Sequence, residues 1–517
     1  MKKGIKGIYL LTYIYIKTFQ EDMDRRDFLK NSGVMAAAAA LAPSLSSCSG
    51  NSSDISASLT AGKGVPEAYD CDLLVVGGGP AGTCAAIAAA RMGVRTIIMD
   101  SGNCLGGMAT KGLVGPFMTS YDRYGEEMII KGLFSEIVDR MVEKGWALHP
   151  EGIRWQSPYT AWIKDGHDHV TPFEPEGLKF TLESMCAEAG VKILYHTSFV
   201  EPLLRGNRVC GAVVFQKQGL RKIKARIVID ATGDGDVAFR AGVPCSKGCA
   251  ERGGTMQPTS LFLRIHNVDS EKLEADVTRH LPEFRRVNNV SYRALHWNVA
   301  QAEANGEWDI ARKSVNIFKS VRNDEWVVNS TRIKDIDATD SESLTAGEIE
   351  GRRQVQVLMN FFRKYVAGCE DAVLSCSAST LGIRESRHIE GEYILKAEDL
   401  INGVVPDDSI LLASNSVDVH GGGATANSSV YTTINAKWYG VPYRCLVPLE
   451  LDNLLVAGRC LSANSDAAGA VRVMPPVMAM GHAAGVAAAL CLKGGALPRE
   501  LDTDALRAEL KAQKAFL

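Results

Sequence analysis

Two short stretches of the 517-residue chain carry groups able to move a proton or hold an anion. "DVH" sets Asp418 and His420 two residues apart. In a strand both side chains point the same way, so the carboxylate can orient or charge the imidazole. His420 is the first candidate for a general base or acid; the alternative is a structural histidine satisfied within the fold. "GIRESRHIEGEY" offers Arg384, Arg387 and His388. The two arginines share a face if the segment is helical and oppose each other if it is a strand. They would hold a substrate carboxylate, unless Arg387 simply pairs with Glu390 or Glu392. "HDH" (His167, His169) gives two potential ligands with no visible third, so no metal is expected there. Among the 13 cysteines no CxxC pair and no zinc or iron–sulfur spacing occurs. Cys245 and Cys249 in "CSKGC" read either as a disulfide or redox dithiol, or as two unrelated thiols.

These groups do redox chemistry only if other elements bring a cofactor to them. "DLLVVGGGPAGTCAAIAAARMGVRTIIMD" (Asp72 to Asp100) is strand, glycine loop, helix and strand in turn. Gly77 permits the tight turn, Gly79 the approach of backbone to a pyrophosphate, and Gly82 the packing of helix on strand. The helix N-terminus faces the phosphates, and Asp100 closes the unit where a carboxylate binds ribose hydroxyls. That unit alone does not separate NAD from FAD. After Asp100 comes "SGNCLGGMATKG", in which Gly106 and Gly107 give bare backbone where a flat ring could lie. A long excursion precedes the next strand, "ARIVIDATGDGD", and a last strand, "NLLVAGRC", ends at Gly458 and Arg459. Pro475 and Pro476 then open a helix whose small residues, Gly481 and Gly485 among them, suit close packing on a sheet. No second G-x-G-x-x-G unit is found, and "HGGGATANS" lacks the flanking strand and helix. Cys104 stands alone in its loop, so bound NAD(P)H and disulfide reduction are both disfavoured.

These blocks, with "PEGLKFTLESMCAEAGVKILYHTSFV", "SVDVHGGG" and "VRVMPPVMAMGHAAG", resemble the FAD-dependent oxidoreductases of the glutathione-reductase-like superfamily from about Asp70 to Gly495. The resemblance implies an α/β fold: a Rossmann-like FAD-binding domain of glutathione-reductase type with an inserted, mixed α+β substrate domain. It implies a pyrophosphate at Gly77, Gly79 and Gly82, the adenosine ribose at Asp100, and adenine against the Val200 backbone. Gly106, Gly107 and Thr110 would lie along the flavin, Thr232 and Gly233 along its ribityl edge. Gly458 and Arg459 would face the pyrophosphate and ribityl region. The helix at Pro475 and Pro476, supplemented by Arg472, would point its positive end at the flavin N1/C2 carbonyl. Two departures are Asp100, where such proteins more usually carry Glu, and the Cys245/Cys249 pair.

The expected organisation is FAD-binding segments at 70–112, 181–244 and 441–495, a substrate domain at 113–180 and 245–440, and a C-terminal helix at 496–517. The expected reaction is hydride transfer between flavin N5 and a small organic substrate, a sugar or other hydroxyl compound. The alternatives are flavin-dependent reduction of an unsaturated organic acid and a non-catalytic flavin holder. The electron donor or acceptor and the oligomeric state are not legible.

The N-terminus is an address rather than fold. "DRRDFLK" with paired Arg25 and Arg26, then "VMAAAAALA", resembles a twin-arginine export signal. "LSSC" resembles a lipobox that would acylate Cys48 and anchor the protein in the cell envelope or periplasm. Residues 1–48 are assigned to that signal, 1–22 being an extension before Met23 that need not be translated, and 49–69 to a flexible tether. A net charge of −3 without charge blocks argues against nucleic acid as a partner. No apolar run reaches the ~18 residues of a spanning helix.

Overall fold

In the computed structural model, residues 63–164, 166–249, 254–421 and 428–517 are described, all within the compact unit Ala57–Leu517. The export signal, Arg25, Arg26 and Cys48 lie outside them.

Short apolar runs become the central sheet. Strands Lys192–Leu194, Thr96–Met99, Leu73–Val76, Ile227–Asp230 and Leu454–Val456 lie side by side in that order, all parallel. Numbered along the chain this is 3-2-1-4-5, the doubly wound arrangement in which a ligand crevice opens at the carboxyl ends of the strands. Four of the five strands are buried at every residue, which is why they read as unbroken apolar runs rather than as alternation. The connection from Leu194 to Ile227 carries an antiparallel meander, Ser198–Arg205, Arg208–Gln216 and Gly219–Lys224. Strand Glu67–Asp70 joins its edge in parallel.

Helix Pro80–Arg91 packs on the sheet and helix Met474–Gly494 on that helix. The contact depends on missing side chains: a Cβ at Gly481 would sit 2.0 Å from the Ala81 carbonyl oxygen, and one at Gly485 2.2 Å from that of Ala85. Gly481 and Gly485 therefore seat against a helix, while the Met474–Gly494 helix also meets the central sheet at strands Ile227–Asp230 and Leu454–Val456, as the sequence reading placed it. Met474–Gly494 is also long and apolar enough to cross a membrane, contrary to the sequence expectation, but 83% of its most apolar window is buried inside the protein.

A second core, around Trp162, Leu263, Trp326 and Phe362, is built under the antiparallel sheet Ile317–Lys319, Trp326–Val328, Leu263–His266 and Val373–Ser377. Helix Ser341–Tyr365 contributes its apolar face to that core. Strand Val417–His420 pairs with Ser429–Thr432 and lies against helix Ser465–Val471, where Gly469 allows the Asp418 carbonyl to approach. Val417 and Val419 enter the core that also buries helices Pro80–Arg91 and Met474–Gly494, so strand alternation turns Asp418 and His420 the other way.

Candidate cofactor crevice and arginine-lined cavity

The glycines at the strand ends divide into two kinds. Gly77, at φ +107°, lies so near the next strand that a Cβ would stand 2.4 Å from the Ala231 carbonyl oxygen. A Cβ on Gly82 would meet the Gly77 carbonyl at 1.9 Å. These two bring backbone against backbone. Gly79 is different: a Cβ there would meet nothing within 4 Å, and the residue caps helix Pro80–Arg91 without a side-chain hydrogen bond. At Gly458 the only neighbour within that range is Ala81 Cβ at 3.5 Å. Bare backbone at a helix N-terminus, opening onto space, fits a dinucleotide diphosphate. Gly106 N–H donates to Gly78 O at 2.8 Å, and Gly107 rests on Gly79, so the second glycine pair lies alongside this cradle.

The Asp100 carboxylate is already well occupied. It accepts from Gly78 N–H at 3.0 Å, Gly102 N–H at 2.6 Å and Lys111 Nζ at 2.6 Å. A ribose hydroxyl there has to share it with Lys111 or displace that side chain. Thr197 N–H bonds the Asp100 carbonyl, and three residues on the register shifts across Val200, leaving it outside the paired ladder. Thr110 is a loop staple, its hydroxyl donating to Leu105 O at 2.7 Å. Thr232 likewise donates its N–H and hydroxyl to Asp230, a buried carboxyl that desolvation raises to about 6. Arg459 does not reach out as expected. Its guanidinium donates to Gly233 O, Ile383 O and Asp234, so it fixes the Gly233 turn. Pro475 and Pro476 fall in the first turn of a helix starting at Met474. They lack N–H groups, so this terminus offers its dipole and the Met474 N–H rather than a fan of donors.

A cavity of about 130 Å³ has walls that include His167, Arg293, Arg312, Arg332, Asp418 and His420. Asp418 and His420 stand 3.4 Å apart between Oδ2 and Nε2, an ion-pair distance rather than a short hydrogen bond. Burial, and then Arg384, Arg332, Arg472 and Arg312 in turn, hold the His420 imidazole well below its ordinary range. Burial also lowers His167 to about 4. Gln257 ties the His420 strand to the start of the Met474 helix. Its Oε1 accepts from the His420 backbone N–H and from Arg472, both at 3.2 Å, and Arg472 stands two residues before Met474. Among the described residues Gln257 Nε2, His420 Nδ1, Arg472 Nε and Arg332 Nε are buried without a hydrogen-bond partner, which leaves unmet hydrogen-bonding capacity in this cluster.

The structure separates the predicted residues. Arg384, Arg472 and His420 come together, with Arg384 donating to Pro258 O at 2.6 Å. Arg387 goes elsewhere: it lies on strand Arg387–Ile389, pairs with Asp236 at 2.8 Å and covers the Phe239 ring. It neither joins the cavity nor pairs with Glu390 or Glu392, so it is a structural bracket. Cys245 is a thiol without a disulfide, so the Cys245/Cys249 pair is unbridged. His169 is engaged with Pro150 O, Gly125 O and Arg154, whereas His167 faces the cavity. Gln257, Arg312 and Arg332 were missed, because single residues scattered over a long insertion leave no spacing signal. The glycine run after Gly421 falls partly outside the described residues.

Residues 72–510 match the family model described as FAD dependent oxidoreductase, and residues 22–42 match the twin-arginine translocation pathway signal sequence. A thiamine thiazole synthase of Aeropyrum pernix is 29% identical over 180 residues, 33% of this chain and 57% of that protein. The chain thus spans little more than half the length of this curated relative. Among solved structures, a geranylgeranyl bacteriochlorophyll reductase-like protein of Thermoplasma acidophilum is 14% identical, with 87% of this chain and 84% of that one covered and a TM-score of 0.43. A p-nitrophenol 4-monooxygenase of Pseudomonas putida is 13% identical, with 84% and 83% covered and a TM-score of 0.44. The chain belongs to the FAD dependent oxidoreductase family; it is an FAD-dependent enzyme with a Rossmann-type domain and a twin-arginine export signal.

Proposed function

We propose that this member of the FAD dependent oxidoreductase family transfers hydride between flavin and a small organic substrate held in the cavity at His420. The observation that carries the reading is the Gln257 bridge, which ties His420 to Arg472 at the head of the Met474–Gly494 helix. Gly77, Gly79 and Gly82 would hold the diphosphate, with Asp100 and Val200 at the adenosine end. Gly106, Gly107, Thr232, Gly233 and Gly458 would shape the crevice for the rest, Thr110 and Arg459 acting on it through the loops they staple. When bound, FAD supplies two-electron hydride chemistry. The Met474 helix end, with Arg472, would stabilise negative charge there by roughly 0.5–2 kcal/mol.

His420 supplies the proton transfer. Among the described residues its Nδ1 has no hydrogen-bond partner, and burial with the surrounding arginines favours the neutral imidazole, the form needed to accept the proton of a substrate hydroxyl. Reduction of a double bond would require the protonated form, which burial and the surrounding arginines oppose. That asymmetry favours oxidation of a hydroxyl compound; nothing in the cavity singles out a sugar. The sheet order and the meander support the narrower placement among glutathione-reductase-like flavoproteins. We further propose that Cys48 is acylated after export and tethers the enzyme to the envelope. Replacing Cys48 by Ser should move it from the membrane to the soluble fraction, and unchanged fractionation would count against the anchor.

The test of the reaction is anaerobic bleaching of the flavin by a panel of hydroxy compounds. A substrate that bleaches wild type should bleach His420→Gln at least ~100-fold more slowly at equal FAD content. Equal rates in the two proteins would remove His420 from the chemistry.

A further inference from the structure

The cavity carries a charge imbalance that the proposed reaction does not by itself explain. Arg312, Arg332, Arg384 and Arg472 all act on His420, and the same carboxylate, Asp418, acts on each of the four. Among the described residues none of the four makes an ion pair. Their hydrogen bonds go to neutral oxygens: Arg312 to Asn329 O, Arg332 to Ser428 O, Arg384 to Pro258 O, and Arg472 to Gln257 Oε1. A carbonyl oxygen satisfies an N–H but does not neutralise a buried cation, and an uncompensated buried charge is strongly destabilising. Of the four, Arg312 and Arg332 line the cavity itself, where Arg286, Arg293 and Lys313 join them; Lys313 pairs with Glu303 outside the lining. Arg332 Nε, buried and without a partner among the described residues, is a further donor on the wall.

We infer that the substrate is a small organic anion whose carboxylate or phosphate group is bound by Arg312 and Arg332. This rests on the reading of the cavity as the substrate site. At about 130 Å³ the cavity is near the size that holds a single benzene-sized ligand, so a compact anion fits it. Planar guanidinium forks suit such oxyanions, whereas a neutral polyol leaves the arginines as they were. Binding an anion here also offsets the positive field that holds His420 neutral, so the base strengthens as the substrate arrives.

The test uses the FAD-loaded enzyme at constant ionic strength, titrated with succinate, with inorganic phosphate and with glucose, while the flavin absorption and the thermal midpoint are followed. Succinate or phosphate should give a saturable response that glucose lacks, and whichever responds identifies the anion. Arg312→Gln and Arg332→Gln should each weaken that response at least tenfold. Should either fail to load FAD, Arg312→Lys and Arg332→Lys keep the charge without the fork and should weaken it less than tenfold but measurably. A glucose response equal to the anion's, no saturable anion response, or anion affinity unmoved in all variants would overturn the inference. Anion binding without flavin reduction by any hydroxy compound would count against the proposed reaction and leave this inference standing. Reduction by a neutral alcohol, with no anion binding, would do the reverse.

Discussion

His420 and His167 are kept neutral by burial among cations, and this has a sign that can be measured. His167 is lowered from about 6.5 to about 4, so the unfolded chain takes up a proton at a pH where the folded one does not. The stability this lends is complete above pH 6.5 and is lost as the pH falls toward 4, on the order of 1–3 kcal/mol. His420 acts in the same direction. Urea unfolding between pH 7 and 4 should therefore show a steeper loss in wild type than in His167→Asn; parallel curves would contradict it. Arg387, removed from the cavity by its pairing with Asp236, should matter to folding instead. Arg387→Ala should cost about 1–2 kcal/mol, since it removes a buried guanidinium from Asp236 and Phe239, which both already reach solvent, while a purified sample keeps its substrate KM. Asp418 and His420 were legible because a two-residue spacing on a strand has one geometric meaning. Arg387 was not, since its partner is 151 positions away.

At the scale of elements, the glycine loop makes contrasting demands on its members. Gly79→Val places a side chain in open space with ordinary backbone angles (φ −70°), so the protein should fold and lose FAD. Gly82→Ala drives a methyl into the Gly77 carbonyl and should lose both fold and cofactor. Circular dichroism beside the flavin absorbance separates the two outcomes. Gly481→Val should destabilise by more than ~3 kcal/mol, because the Ala81 carbonyl on the opposing helix has nowhere to go. The parallel strands and this loop could be read from sequence because apolar runs and glycine spacing are local signals. That the Met474–Gly494 helix also packs on helix Pro80–Arg91 could not, since a small-residue face states how close an approach is and not to what.

For the whole molecule, cores built from interleaved segments leave a cavity lined from distant parts of the chain. Met118, Arg312, Asp418 and Tyr431 meet there only after folding, so no motif announces the cavity. Even the fold class and the cofactor rested on block order rather than on any one motif. The export address, in contrast, is a linear signal and reads directly. Replacing Arg25 and Arg26 together by Lys should leave the enzyme in the cytoplasm with FAD bound, scored by fractionation. The central claim is that FAD sits in the Gly79 crevice and serves the chemistry at His420. Its most direct test is the FAD content of the purified mature chain, wild type against Gly79→Val, read as flavin released by acid precipitation. The expected result is about one FAD per chain in wild type and little in a folded Gly79→Val protein. A wild-type chain that stays colourless after reconstitution with FAD, or a Gly79→Val chain that retains full flavin, would contradict it.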